Sequence, residues 1–326
     1  MLKVFNLGCV LRSNGASTAR LTRCSFATDK GSKQNDETTL KDDSPVVPLQ
    51  LSYNSYEDLS SDSTTPPVII MHGLFGSKQN WRGISKAIHS KSKPTRKVIA
   101  LDARNHGESP HSPHHRYVDL AEDVHLFCTE HKIPKAVFLG HSMGGRAMMV
   151  FALKYPHLVE KAIIVDVSPV TTSPALKSMG EIFTAMRRVS LPNDIDLPQA
   201  RIMADEQIKE FIPDKVTRSF ILMNLYRAVN GAIKWRSNVD SLDDNFSKHI
   251  SRFLGPQQRL SLNKYTAPIL FVGGSKSDYL TAPDELTRIR EIFPQADLKF
   301  LDTGHLVQVE APNEFVKLVT EFINST

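Results

Sequence analysis

A serine hydroxyl is a weak nucleophile at neutral pH. It becomes useful only with a base, a group that orients the base, and donors for the developing oxyanion. The stretch Gly140-His141-Ser142-Met143-Gly144 offers a place for such a serine. The apolar run Ala136-Val137-Phe138-Leu139 enters it, and the helical pattern Ala147-Met148-Met149-Val150-Phe151-Ala152-Leu153 leaves it. Strand, G-x-S-x-G and helix in that order predict a nucleophile elbow, a sharp turn that holds Ser142 strained and exposed. Gly140 and Gly144 lack Cβ, so strand and helix can approach closely around the turn. The helix begins at the serine, where its N-terminal N–H groups favour negative charge.

The base expected for Ser142 is His305, in the loop Leu301-Asp302-Thr303-Gly304-His305-Leu306. It follows the last strand-like run, and the order Ser…acid…His is the chain order that accompanies this elbow. The expected oxyanion donors are the N–H of Met143 and that of Leu74, in the glycine-bearing loop His72-Gly73-Leu74-Phe75-Gly76. His72 reads as a structural residue that holds this loop. The acid is open at this point: Asp166 ends a strand-like run, Asp278 lies in a later loop, and Asp302 ends another strand three residues before His305. The stretch Asp102-Ala-Arg-Asn-His-Gly-Glu-Ser-Pro110 lies at the same expected sheet edge and reads as a hydrogen-bonded buttress. His111, His114 and His115 have no carboxylate or Cys partner at a metal-ligand spacing, so no metal is expected.

These residues need a scaffold that brings loops to one edge. Apolar runs at 68–71, 98–101, 136–139, 162–165, 269–272 and 298–301 alternate with helical patterns near 80–89, 117–131, 283–293 and 313–323. Near-continuous apolar strands separated by helices predict a mostly parallel sheet with helices on both faces. Val47–Tyr53 suggests early antiparallel edge strands. Residues 171–262 interrupt the alternation with helical segments at 175–189, 197–211 and 214–224 and no core strand. They are expected to form a cap over the site, with the helix carrying Met179, Phe183 and Met186 lining a pocket.

Composition narrows the classes. The 326 residues are 40% hydrophobic and 23% charged, ordinary for a globular chain. No apolar run approaches the ~18 residues that span a bilayer. The formal net charge is +5, and four of those charges are Lys3, Arg12, Arg20 and Arg23 in a stretch, 1–28, without Asp or Glu. The basicity is therefore a property of the N-terminus and gives no reason to expect nucleic-acid binding. That stretch, rich in Ser, Thr and Ala, reads as a mitochondrial transit peptide, and 29–45 as a polar linker. Of the three cysteines, Cys9 and Cys24 lie in the leader, so Cys128 alone is left for the folded part. No disulfide framework follows.

With these residues in hand, the chain from about Val46 onward resembles the α/β-hydrolase superfamily. More narrowly it resembles the mitochondrial α/β-hydrolase domain-containing protein 11 group and its bacterial esterase relatives. The matching motifs are His-Gly-Leu-Phe-Gly-Ser (72–77), Asp-x-Arg-Asn-His-Gly-x-Ser-Pro-His-Ser (102–112), Gly-His-Ser-Met-Gly-Gly (140–145), Val-Asp-x-Ser-Pro (165–169), Ala-Asp-Glu-Gln (204–207) and Gly-His (304–305). The resemblance implies an α/β-hydrolase fold over 46–326 with a helical cap at about 171–262. It also implies an acid at Asp166, because the group carries it in the Val-Asp-x-Ser-Pro context. Setting Leu280 against the apolar residue that usually follows the acid puts Ser277, not Asp278, in the customary slot. The implied activity is a serine esterase or acyl hydrolase acting on a lipid, small ester or thioester in mitochondria, with the matrix expected and no cofactor. Two other functions fit the same residues: acetyl transfer from acetyl-CoA to an alcohol, as in fungal relatives, and a non-enzymatic binding or partner-protecting role on the same scaffold.

Overall fold

The computed structural model describes residues 44–58, 64–255, 263–281 and 284–325. The expected leader, 1–28, and residues 29–43 of the expected linker lie outside the described residues.

Within Pro45–Thr326 a seven-stranded sheet organises the chain. Its strands are β1 (Tyr53–Tyr56), β2 (Val68–Met71), β3 (Val98–Leu101), β4 (Ala136–His141), β5 (Val159–Val165), β8 (Ile269–Gly274) and β9 (Ala296–Leu301). The spatial order is β1-β3-β2-β4-β5-β8-β9, parallel throughout except for β1 against β3. The antiparallel edge expected at Val47–Tyr53 is thus one strand that begins at Tyr53, whose alternating exposure marks it as an edge. Upstream, Leu49 gives its N–H to the Asp123 carboxylate and not to a strand.

Strands β2, β3 and β4 are buried along their whole length, which explains their unbroken apolar sequence. Successive residues still face opposite sides. Ile69, Met71 and Phe138 pack with helices α2 (Tyr117–Glu130) and α3 (Met143–Lys154). Val68, Ile70, Val137 and Leu139 pack on the other face with α1 (Arg82–Lys91) and the C-terminal helix Pro312–Asn324. Two apolar layers therefore clamp the sheet, and its carboxyl edge is left to carry loops.

Between β5 and β8 the chain forms helices α4 (Met179–Arg188), α5 (Leu197–Ile208), α6 (Lys215–Leu222) and α7 (Val239–Asn245), with a two-stranded hairpin, β6 (Leu225–Arg227) and β7 (Ile233–Trp235). Asp196, Asp214 and Asn238 cap α5, α6 and α7 by accepting a first-turn N–H. The hairpin was not expected from sequence; at three residues a strand its signal is too short to read.

Candidate active site

Strand β4 is central and ends at His141; α3 begins at Met143. Ser142, alone between them, takes φ 52° and ψ −117°, a strained conformation for a residue with a side chain. Its neighbours explain how the turn can be so tight. A Cβ on Gly144 would lie 2.4 Å from the His72 carbonyl oxygen, and one on Gly140 would lie 2.3 Å from that of Gly144. The strain is held by backbone bonds: Ser142 N–H donates to Val165 O at 2.9 Å, and Arg146 N–H to Ser142 O at 3.1 Å.

His305 lies in the loop after β9, and Asp166 directly follows β5 at φ 47°. The structure brings these two together: His305 Nδ1 is 2.7 Å from Asp166 Oδ2. Asp166 is fully buried and well supplied with donors. Gly274 N–H donates to Oδ1 at 2.9 Å and the Ser277 hydroxyl to Oδ2 at 2.5 Å. Ser277 occupies the loop after β8, where the superfamily's acid is customarily sought, and here it serves the carboxylate that stands one strand away. Asp278 instead accepts from Ser173 Oγ at 2.6 Å, and Asp302 faces Lys276 at 3.1 Å in solvent. Neither of these two carboxylates is paired with His305 among the described residues.

The imidazole of His305 is fixed from several sides. Tyr279 stacks on it with ring centroids 3.7 Å apart and planes inclined by 21°. Burial pushes the Tyr279 phenol up to about 12, so a neutral ring covers the histidine. His141 reaches the His305 carbonyl oxygen through Nε2 at 2.9 Å. Burial, with His305 nearby, pushes the His141 pKa down to about 3; the ring is neutral and Nε2 carries the donated proton. The Glu310 carboxylate accepts the Gly304 N–H at 2.8 Å and anchors the loop's other side.

The loop after β2, where the second N–H is expected, is held in place by histidines. His72 accepts the Ala103 N–H at Nε2 (3.0 Å) and donates from Nδ1 to Gly73 O (2.7 Å), which fixes its tautomer. His106 does the same work one residue further on, accepting the Phe75 N–H at 3.1 Å and donating to Arg104 O at 2.9 Å. Phe75, at φ 60°, thereby spends its N–H inside the loop, and Leu74 beside it borders the cavity. Met143 is the first residue of α3, where a helix N–H has no intrahelical acceptor. Leu74, Ser142, Met143 and His305 all border one cavity of about 430 Å³.

The Asp102–Pro110 stretch buttresses this geometry. Asp102 accepts the Lys78 N–H at 2.7 Å and pairs with the buried Lys78 ammonium at 2.5 Å. Asn105 reaches the cap, its carbonyl accepting the Asn238 N–H at 2.9 Å. His115, buried and held well below its ordinary pKa by desolvation, contacts Met143 Sδ at 3.2 Å. His106, His115 and Tyr279 were not singled out from sequence as site residues, and Ser277 was noted only as occupying the customary acid slot. Only His106, in the Arg-Asn-His-Gly string, had a motif that could have flagged it.

The cavity wall is mostly apolar and mostly cap. Met179 and Ile182 of α4, Phe211, Phe220 and Phe246 contribute to it. Of the three α4 residues expected there, Met179 borders the cavity, whereas Phe183 is buried against Phe75 and Phe246 and Met186 is core. Chemically, the arrangement sets His305 against a buried carboxylate and places Ser142 on the same cavity, with no hydrogen bond between the Ser142 hydroxyl and His305 among the described residues. Among the described residues no group of three or more His, Cys, Asp or Glu is placed to hold a metal.

Comparison with known proteins agrees with this geometry. Residues 66–312 match the alpha/beta hydrolase fold family. The chain is 38% identical over 284 residues to the sn-1-specific diacylglycerol lipase ABHD11 of Mus musculus, covering 87% of this chain and 88% of that protein. It is 29% identical to ethanol acetyltransferase 1 of Cyberlindnera jadinii, covering 81% of this chain and 82% of that one. Among solved structures, a marine microorganism esterase superposes with a TM-score of 0.73 at 31% identity, covering 84% of this chain and 99% of that chain. The chain belongs to the α/β-hydrolase fold family and is a serine hydrolase.

Proposed function

We propose that this α/β-hydrolase cleaves an acyl ester of lipid character through an acyl-enzyme formed on Ser142. His305 takes the proton of Ser142 Oγ as the hydroxyl attacks the acyl carbonyl, and returns it to the leaving alcohol. Asp166 holds the imidazole in the tautomer with Nε2 free and stabilises the imidazolium. The N–H groups of Leu74 and Met143 receive the oxyanion. Water, activated by the same histidine, then releases the acid. The observation that carries this reading is the pair His305–Asp166 at 2.7 Å, set beside the strained Ser142 on one apolar cavity. The apolar wall and the diacylglycerol lipases among the relatives support a lipid acyl group.

Testing needs a panel of esters and acyl thioesters on the purified protein, with Ser142→Ala as blank. Loss of a triad nucleophile lowers kcat by about 10⁶-fold. Turnover by Ser142→Ala within tenfold of wild type would refute the assignment. A fluorophosphonate probe that fails to label Ser142 in folded protein would favour a binding role instead.

The same acyl-enzyme can be opened by an alcohol. The resemblance to ethanol acetyltransferases supports this second reading. Acetyl-CoA and ethanol supplied together would yield ethyl acetate if transfer dominates and free acetate if water wins. For location we propose mitochondrial import directed by residues 1–28, on the strength of their four basic and no acidic side chains. A truncated protein lacking them should stay outside the organelle in a fractionation assay.

A further inference from the structure

Arg146 lies in the first turn of α3, and its backbone N–H donates to the Ser142 carbonyl oxygen at 3.1 Å. It is 3% exposed, yet it borders the cavity that holds Ser142 and His305. Its hydrogen bonds go to uncharged acceptors: Nη1 donates to Ile250 O and Nη2 to Thr171 O, each at 3.2 Å. Its Nε–H is buried without a partner among the described residues. The other buried arginines of the fold are treated differently. Arg104 holds Asp123 at 2.6 Å, and Arg116 holds Asp119 at 2.7 Å. Arg146 has no carboxylate within ion-pair distance among the described residues. A guanidinium keeps its charge under any physiological condition, and a buried charge is strongly disfavoured unless it is paired.

The guanidinium is thus a buried cation without a carboxylate partner at the wall of a mostly apolar cavity. Tyr117 and Ile250, which meet there through Tyr117 OH and Ile250 O at 2.5 Å, also border the cavity. The carboxylates on the same wall, Glu181 and Asp214, are exposed and belong to its outer rim. We propose that Arg146 is a specificity-determining residue that pairs with an anionic group on the substrate. The preferred esters then carry a carboxylate or similar anion on one half, in addition to apolar carbon. This inference rests on the reading of Ser142 as nucleophile. The two are separable, because turnover of neutral esters reports Ser142 and the preference for an anion reports Arg146.

The test uses two pairs of esters on the whole protein. The acyl arm compares p-nitrophenyl hexanoate with the mono-p-nitrophenyl ester of adipic acid, which replaces the terminal methyl by a carboxylate. The alcohol arm compares 3-carboxyphenyl hexanoate with its methyl ester. In wild type the anion should raise kcat/KM by about tenfold or more in one arm, which identifies the half that carries it. Arg146→Gln should remove that preference, and Arg146→Lys, which keeps charge but loses the planar fork, should retain part of it. The proposal is overturned if neither arm favours the anion, or if the preference survives in Arg146→Gln. It is also overturned if both members of each pair fall together with their ratio intact, because Arg146 is then only a tie between α3 and the cap. A crystal structure of Ser142→Ala with the adipate half-ester or the carboxyphenyl ester, whichever arm wild type favours, does not depend on how the Arg146 variants fold. A carboxylate seated on the guanidinium supports the proposal, and one seated elsewhere defeats it.

Discussion

The sheet edge that carries Ser142 and the cap that walls its cavity are held together by different forces. At the edge, β4 and all of α3 from Met143 to Leu153 are buried, and backbone approaches backbone at distances only glycine allows. Of the cap's helices, α5, α6 and α7 are each capped by a single side chain and α4 by none. Its ion pairs, such as Arg187 with Asp240 and Arg218 with Asp205, are partly in solvent, where such pairs contribute under about 1 kcal/mol each. Ile202, Val216 and Met223 of the cap remain exposed. The chemistry, with Arg146 beside it, is therefore placed on the more tightly packed part of the molecule, and most of the cavity's apolar wall on the part held by weaker contacts.

If that division is right, the largest losses come from atoms at the rigid edge. Asp166→Asn should lower kcat by about 10⁴-fold, because an amide in that place lets His305 adopt the wrong tautomer. Asp278→Asn should change kcat less than about threefold, since its contact is with Ser173 and not His305. Kinetics on both variants, each shown folded by circular dichroism, decide the matter; the reverse ranking would move the acid to the loop after β8.

Gly73 tests the edge without touching a reacting group. A Cβ there would lie 2.8 Å from His141 Nδ1 and 3.2 Å from Ser142 Cβ. Neither neighbour can retreat, because His141 holds the His305 loop and Ser142 is pinned by its backbone bonds. Gly73→Ala should displace the Leu74 N–H as well, and kcat should fall by about 10²-fold or more with little change in KM. A variant that kept wild-type kcat would show that the edge is softer than its packing implies.

The buried histidines beneath that edge predict a pH dependence of stability. Burial pushes both His106 and His141 down to about 3. An unfolded chain binds protons at these positions near pH 6.5, whereas the folded protein does not until about pH 3. Between these values the unfolded state holds more protons, so stability rises with pH. The contribution is complete above about pH 6.5 and declines below it by about 1.4 kcal/mol per pH unit for each histidine. Chemical denaturation from pH 7 to pH 4.5 should show this slope, and His106→Gln should reduce it. A slope unchanged in that variant would mean that His106 is protonated in the folded protein.

The two regions also differed in how far their sequence could be read. Each strand-like run coincides with a strand, and in β2, β3, β4 and β8 burial along the whole length leaves an unbroken signal. The elbow was legible for the same reason: strand, glycines and helix are contiguous. The acid was less so: three aspartates had comparable local settings, the Val-Asp-x-Ser-Pro resemblance pointed to Asp166, and the bond that separates them joins residues 166 and 305, far apart in sequence. The contacts of Ser277 to Asp166 and of Tyr279 to His305 were invisible for the same reason: they join residues far apart in sequence. In the cap, three helices were legible from their periodicity and the short α7 was not, nor was the face that meets the cavity. On α4, Phe183 carries as strong an apolar signal as Met179, and only packing against Phe75 and Phe246 turns it inward.

That last ambiguity yields the smallest expected effect. Met179 and Ile182 border the cavity, Met179 almost wholly buried and Ile182 partly so, and both are on a helix whose other face packs on Phe246 and α7. Truncating either to Ala widens the cavity without touching Ser142, His305 or Asp166. The transition state keeps its hydrogen bonds, while the acyl chain loses apolar contact. One methylene in such a pocket changes discrimination by about tenfold to two-hundredfold when the wall is rigid. A cap held by partly solvated ion pairs can close over the lost volume, so the expected change in the ratio of short- to long-chain ester rates is about threefold to tenfold. Phe183→Ala should behave otherwise: it empties a buried site, lowering stability by about 3 kcal/mol or more, and shifts the chain-length ratio less. Initial rates across a series of p-nitrophenyl esters, with melting temperatures beside them, separate the two patterns. If Met179→Ala lost stability while Phe183→Ala altered chain-length preference, α4 would present the opposite face to the substrate.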